Sequence, residues 1–136
     1  MAKQRTAVLG VGQTKYQSTR GDVSMAGLVR EAALRALADA GMEWADIDAV
    51  VIGKAPDFFE GVMMPELYLA DALGCVGKPI LRVHTAGSVG GSTALVATSL
   101  IQGGIHRRVL TLGFEKQSES NATWALSLPQ IGRAHV

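Results

Sequence analysis

The chain has 136 residues, 48% of them hydrophobic and 18% charged, with 16 glycines, which suits one globular domain with its own core and excludes a disordered or collagen-like polymer. Thirteen Lys and Arg against twelve Asp and Glu leave a formal charge of +1, too little for a field that selects nucleic acid or anionic lipid. One cysteine and three histidines provide neither an internal disulfide nor a familiar Cys/His zinc cluster, as expected of a protein in a reducing cytoplasm. The opening Met-Ala-Lys-Gln-Arg-Thr lacks the long apolar region of a signal peptide, and no stretch approaches about 18 unbroken apolar residues, so neither secretion nor a membrane span is expected.

Thr6 to Gly12 is a short apolar, β-branched run ending in glycines, the pattern of a buried first strand. Ser24 reads as an N-cap for a helix in which Met25, Leu28, Val29, Ala32, Ala33, Ala36, Leu37 and Ala40 recur on one face until Gly41 stops it. Glu31 and Arg35 form an i,i+4 pair on its flank. After a Glu43-Trp44-Ala45 turn, Asp46 to Gly53 reads as a second, continuously apolar strand. Pro65 opens a second helix that runs to Leu73 and is closed by Gly74. Pro79 to His84 alternates apolar with polar residues, which suits an edge strand. The turn Ala86-Gly87-Ser88-Val89-Gly90-Gly91 then leads into a third helix, Ser92 to Ile101, ended by Gly103-Gly104, and Val109 to Phe114 is the fourth strand. Strands alternating with helices predict an α/β architecture, a mostly parallel sheet with helices on both faces, without repeats or linkers.

Gly10-Val11-Gly12 is followed by Lys15 where a dinucleotide fingerprint needs its next glycine, and no Walker-type phosphate loop occurs. The glycines then serve only to ease the chain out of a crowded strand. The turn at 86–92 is the most informative stretch. A strand passing through small residues into a helix aims free N–H groups at a docked ligand or nucleophile, although the same glycines also permit close helix packing. His84, two residues before the turn, is placed either to orient a ligand or to be satisfied locally, and His106 lies in a polar loop. Cys75 falls outside the turn and reads as a small buried apolar residue. Phe58, Phe59, Met63 and Met64 form either an exposed interface patch or part of the core.

With the β-α-β-α-β-α-β order and Arg82-Val83-His84-Thr85-Ala86-Gly87-Ser88-Val89-Gly90-Gly91-Ser92-Thr93-Ala94 in view, the chain resembles the N-terminal half of the thiolase superfamily, in particular its sterol-carrier-protein-type branch, which includes actinobacterial lipid-transfer proteins. Val8 to Tyr16, Gly53 to Asp57 and Phe114 to Ser118 carry the resemblance further, from about Thr6 to Pro129. It implies a truncated half-domain. In that family a cysteine at the N-terminus of the third helix attacks an acyl-CoA thioester, and the helix end favours the thiolate. The matching position is Gly87; its neighbours Ala86 and Ser88 are not thiols either. The activating histidine and second cysteine would lie in a C-terminal half that this chain lacks.

The resemblance therefore implies a fold and leaves three functional readings. The first is an acyl-CoA C-acyltransferase of lipid or steroid side-chain metabolism, with Ser88 as replacement nucleophile. The second is a retro-aldol carbon–carbon lyase acting on a β-hydroxyacyl-CoA with a small acyl-CoA-binding partner protein. The third is a non-catalytic lipid-CoA-binding subunit. His84, Gly87, Ser88, Gly90 and Gly91 would contact the substrate, a coenzyme A thioester, with no metal and no resident cofactor. The family also implies a homodimer paired through the edge strand at 80–84.

The last residues, Ile131 to Val136, break the preceding apolar rhythm and allow the back-translation ATCGGAAGAGCACACGTC, which resembles a sequencing-library adapter. The expected division is thus an incomplete domain over 1–129 and a non-native tail over 130–136. Loss of Arg133 would take the formal charge from +1 to zero.

Overall fold

A computed structural model of the protein describes residues 4–54 and 61–119. Helix α1 spans Met25–Ala40. Ser24 caps it from an extended backbone, its Oγ accepting the Gly27 N–H at 3.1 Å, so one otherwise orphaned donor of the first turn is satisfied. At the other end Gly41 turns the chain with φ 63°, a left-handed conformation that glycine adopts without steric cost, and Met42 N–H closes on the Leu37 carbonyl at 2.9 Å. The expected Glu31–Arg35 pair forms at 2.7 Å.

Three parallel strands make the sheet: β1 (Ala49–Gly53), β2 (Ile80–Val83) and β3 (Val109–Gly113), in the order β2-β1-β3. Central β1 is buried along its whole length, which is why its sequence is apolar without alternation. Val50 and Ile52 face α1 and residues 69–75, packing with Val29, Ala33, Leu37, Leu69, Leu73 and Cys75. Burial of side chains such as Ile52, Leu69 and Leu73 contributes on the order of 1.5–3 kcal/mol each. The opposite face of β1 carries α3 (Val89–Gln102). A Cβ on Gly53 would lie 2.1 Å from Thr93 Oγ1, so glycine is what lets helix and strand approach this closely. Helices therefore cover both faces, as the pattern predicts. Helix α2 (Pro65–Tyr68) is shorter than expected; the chain continues to Gly74 in turns, with Gly74 itself at φ 58°.

The first predicted strand is corrected by the structure. Residues 6–12 form no strand, and Val8, Leu9 and Val11 are 82%, 60% and 69% exposed instead of buried. The segment lies across α1: a Cβ on Gly12 would fall 2.3 Å from Ala36 N and 2.4 Å from Ala32 O, so only glycine fits. Val11 N–H donates to Asp39 Oδ2 at 2.9 Å, and Arg35 Nη1 donates to the Gln13 carbonyl at 2.7 Å. Apolar composition supplies strand propensity, but a strand exists only through a ladder, and no strand runs beside this segment among the described residues. The proposed tail at 130–136 lies outside the described residues, as do Phe58 and Phe59.

Candidate functional site

All three strands point the same way, so Lys54, His84 and Phe114 follow their C-terminal ends on one rim, where parallel α/β sheets usually hold ligands. The turn from β2 to α3 stands on this rim. Ala86 has φ 48°, a left-handed backbone that costs a residue with a Cβ about 1 kcal/mol. Ala86–Ser88 then make a 3-10 turn, and Val89 N–H closes on the Ala86 carbonyl.

Helix α3 begins at Val89, earlier than the Ser92 start that the glycine-rich turn suggests. Ser92 therefore lies within the helix, and Thr85 Oγ1 hydrogen-bonds Ser92 Oγ at 2.8 Å. Gly90 and Gly91 consequently lie in the first helical turn, exposed, with N–H groups that have no intrahelical acceptor. No side chain caps this end, so the two amides and the positive end of the helix dipole face outward.

Ser88 is the residue at the N-cap of α3, and Gly87 precedes it inside the 3-10 turn. The Ser88 hydroxyl donates to the Thr85 carbonyl at 2.8 Å, an arrangement that holds the side chain and supplies no base to it. Nothing lies within 4 Å of where a Cβ on Gly87 would stand, so the space before the turn is open. The structure thus brings Gly87, Ser88, Gly90 and Gly91 together, with exposed His84 at the end of β2 beside them. Cys75 is elsewhere, buried in the α1-side core with Sγ on the Leu73 carbonyl at 3.4 Å, and burial pushes its thiol pKa up. It is packing material, as the sequence suggested.

Sequence reasoning missed a charged cluster on the same rim. Lys54 is fully buried, its Nζ 3.3 Å from Glu115 Oε2 and 6.0 Å from the Phe114 ring centre. Lys116 is also buried and bonds the Val23 carbonyl and Glu119. The available signal was a lysine directly after an all-apolar strand, a position where burial forces a charge to find a partner. Met63 and Met64 are exposed beside α2, which favours the surface-patch reading for this part of the Phe/Met segment.

No family model matches the chain. The chain is 33% identical over 120 residues to human sterol carrier protein 2, an alignment that covers 87% of this chain and 21% of that protein. It is 36% identical over 115 residues to an acetyl-CoA acetyltransferase of Methanothermobacter thermautotrophicus, covering 83% of this chain and 30% of the relative. Among solved structures, the Ltp2-ChsH2 aldolase superposes with a TM-score of 0.65 at 28% identity, covering 93% of this chain and 33% of that one. The chain thus spans between about a fifth and a third of these proteins.

Proposed function

The chain belongs to the thiolase superfamily, and we propose that it is the N-terminal part of a thiolase-like protein of lipid or steroid side-chain metabolism that binds acyl-CoA thioesters without the usual nucleophilic cysteine. The observation that carries this reading is the composition of the turn. It offers two outward N–H groups at Gly90 and Gly91, open space at Gly87, and a serine hydroxyl already donated to a backbone carbonyl. Such a turn polarises a thioester carbonyl by hydrogen bonding and stabilises negative charge developing on its oxygen. It does not generate a thiolate, and a serine lacking a base is a poor substitute. His84, at the mouth of the turn, orients the bound thioester.

Two chemistries are compatible with this role. In an acyltransferase, Ser88 Oγ bonds the acyl carbon as the thioester C–S bond breaks, and the hydroxyl proton passes through a base from the C-terminal part of the parent to the departing coenzyme A thiol. In a retro-aldol lyase on a β-hydroxyacyl-CoA, a base removes the hydroxyl proton, the carbon–carbon bond breaks to a carbonyl product and a thioester enolate whose oxygen the turn holds, and the enolate carbon takes a proton back to give the shorter acyl-CoA. The missing thiol and the likeness to the Ltp2-ChsH2 aldolase favour the second. A small acyl-CoA-binding partner protein belongs to that reading. We place the coenzyme A thioester as substrate and take residues 1–129 alone to be inactive.

Mass spectrometry of the full-length parent incubated with acyl-CoA tests the choice. The lyase reading expects no acyl adduct on Ser88, and Ser88→Ala within about twofold of the native rate; an adduct at Ser88 that disappears in Ser88→Ala returns the protein to the acyltransferases.

A further inference from the structure

Helix α3 starts under unfavourable conditions. Two of its first three residues are glycines, which lose more backbone freedom on ordering than any other residue, and no side chain caps it. Such a start frays unless something outside the helix fixes it, and the amides of Gly90 and Gly91 then point in no single direction. The backbone ahead of it adds to the cost, because Ala86 sits at φ 48°.

Thr85 supplies the restraint. Its carbonyl accepts both the Ser88 N–H at 3.2 Å and the Ser88 hydroxyl at 2.8 Å, which closes the chain around Ala86. Its own hydroxyl reaches over the turn to Ser92 Oγ at 2.8 Å, seven residues on. Ser92 directly follows Gly91, and its neighbour Thr93 rests on β1. Thr93 is buried, its hydroxyl donates to the Val89 carbonyl at 2.7 Å, and a Cβ on Gly53 would lie 2.1 Å from its Oγ1. Successive helical residues are turned about 100° from each other, so Ser92 and Thr93 hold the first turn from two directions. A helix held in this way does not rotate about its axis, and the direction of the Gly90 and Gly91 N–H groups is set. The end of β2 from which Thr85 departs is itself tied down, since Lys54 N–H donates to the Val83 carbonyl at 3.4 Å.

We propose that Thr85 is a positioning residue of this site: its hydroxyl, through Ser92, holds the amides of Gly90 and Gly91 at the angle that a thioester carbonyl needs. This role rests on the carbonyl-binding reading of the turn and adds the residue that orders it. Preorganised donors stabilise charge without rearranging as it develops, so the worth of the two amides depends on the restraint. Ser88 does not share the role, because its backbone N–H keeps the Thr85 carbonyl engaged when the hydroxyl is removed.

Infrared difference spectra of the full-length parent with octanoyl-CoA, isotope-labelled at its thioester carbon, read the polarisation of the carbonyl, and isothermal titration gives the affinity. In the native parent the carbonyl band moves to lower frequency on binding. Thr85→Val keeps the shape of the side chain and loses the hydroxyl; it is expected to shrink that shift and to raise Kd about fivefold, the size of one lost hydrogen bond. Thr85→Ser should retain both, Ser92→Ala should reproduce the loss from the other end of the same bond, and the double variant Thr85→Val, Ser92→Ala should be no worse than either alone. A native-sized shift in Thr85→Val or Ser92→Ala overturns the positioning role and leaves the carbonyl-binding turn standing, whereas no shift in the native parent removes both. Equal losses in Thr85→Ser and Thr85→Val also overturn it, because the hydroxyl would then not be the part that matters. Circular-dichroism melts show which variants are folded, and if Thr85→Val is not, Ser92→Ala decides.

Discussion

Asp48 shows how a single side chain is set by its surroundings. It accepts the backbone N–H groups of Arg107 and Arg108 at 3.0 and 2.9 Å, and these donors hold its carboxyl below the usual carboxylate range. A depressed folded-state pKa stabilises the fold fully above the unfolded value of about 3.9 and is lost as pH falls through the folded one. Asp48→Asn is therefore expected to cost on the order of 1 kcal/mol at pH 7, reduced by the site's exposure, and little at pH 3. Thermal melts of both proteins across that range check this: a gap that widens toward acid contradicts it. At Gly87 the expectation concerns binding. Gly87→Val fills open space in front of the turn, so acyl-CoA affinity of the parent should fall at least about tenfold, roughly 1.4 kcal/mol, with the fold unchanged. Isothermal titration together with a circular-dichroism spectrum separates the two quantities.

Helix and strand pairs in this protein approach through missing side chains. Gly53→Ala would set a methyl 2.1 Å from Thr93 Oγ1 and 3.0 Å from Val89 Cγ2, so α3 must lift from β1. Overpacking of this kind costs about 1–3 kcal/mol. Because α3 carries Gly90 and Gly91 at its exposed end, the same shift displaces the proposed carbonyl-binding amides. Thr93→Ala removes the first of those clashes, and the double variant should recover most of the lost melting temperature. A double variant no more stable than Gly53→Ala would place the strain elsewhere. The α2 segment teaches a related point. Its sequence supports a helix to Leu73, yet only Pro65–Tyr68 is helical, because Leu69 and Leu73 are drawn into the core beside α1 and the chain bends to Gly74 to reach β2.

On the scale of the whole molecule, three surfaces face outward among the described residues: a cavity of about 340 Å³ lined by β3 residues, the outer edge of β2, and the outer side of α3, where Leu95 is 69% exposed. β2 is an edge strand among the described residues, as its alternating sequence predicts, and it ends at the turn. An unpaired edge invites a second copy through a two-fold axis. The parent is accordingly expected to sediment as a dimer at micromolar concentration, with the interface beside the site; a monomer there removes the proposal. None of the helices among the described residues is long and apolar enough to cross a membrane.

Periodicity alone determined α1 with both its caps, the buried centre of the sheet and the edge character of β2, because each depends on local spacing of side chains and on capping chemistry within a few residues. The position of the turn at 86–92 was equally legible, since small residues between a strand and a helix leave few conformations open. The helix start at Val89 was not, because Gly90 and Gly91 read as turn residues while in the fold they make the first helical turn. Nor was the pairing of buried Lys54 with half-buried Glu115, which joins residues 61 apart in sequence. Residues 6–12 mark the clearest boundary between the two kinds of information. Their composition encodes a strand, but a strand is a property of a pair, and only the tertiary structure shows that the neighbouring place is empty of any described residue.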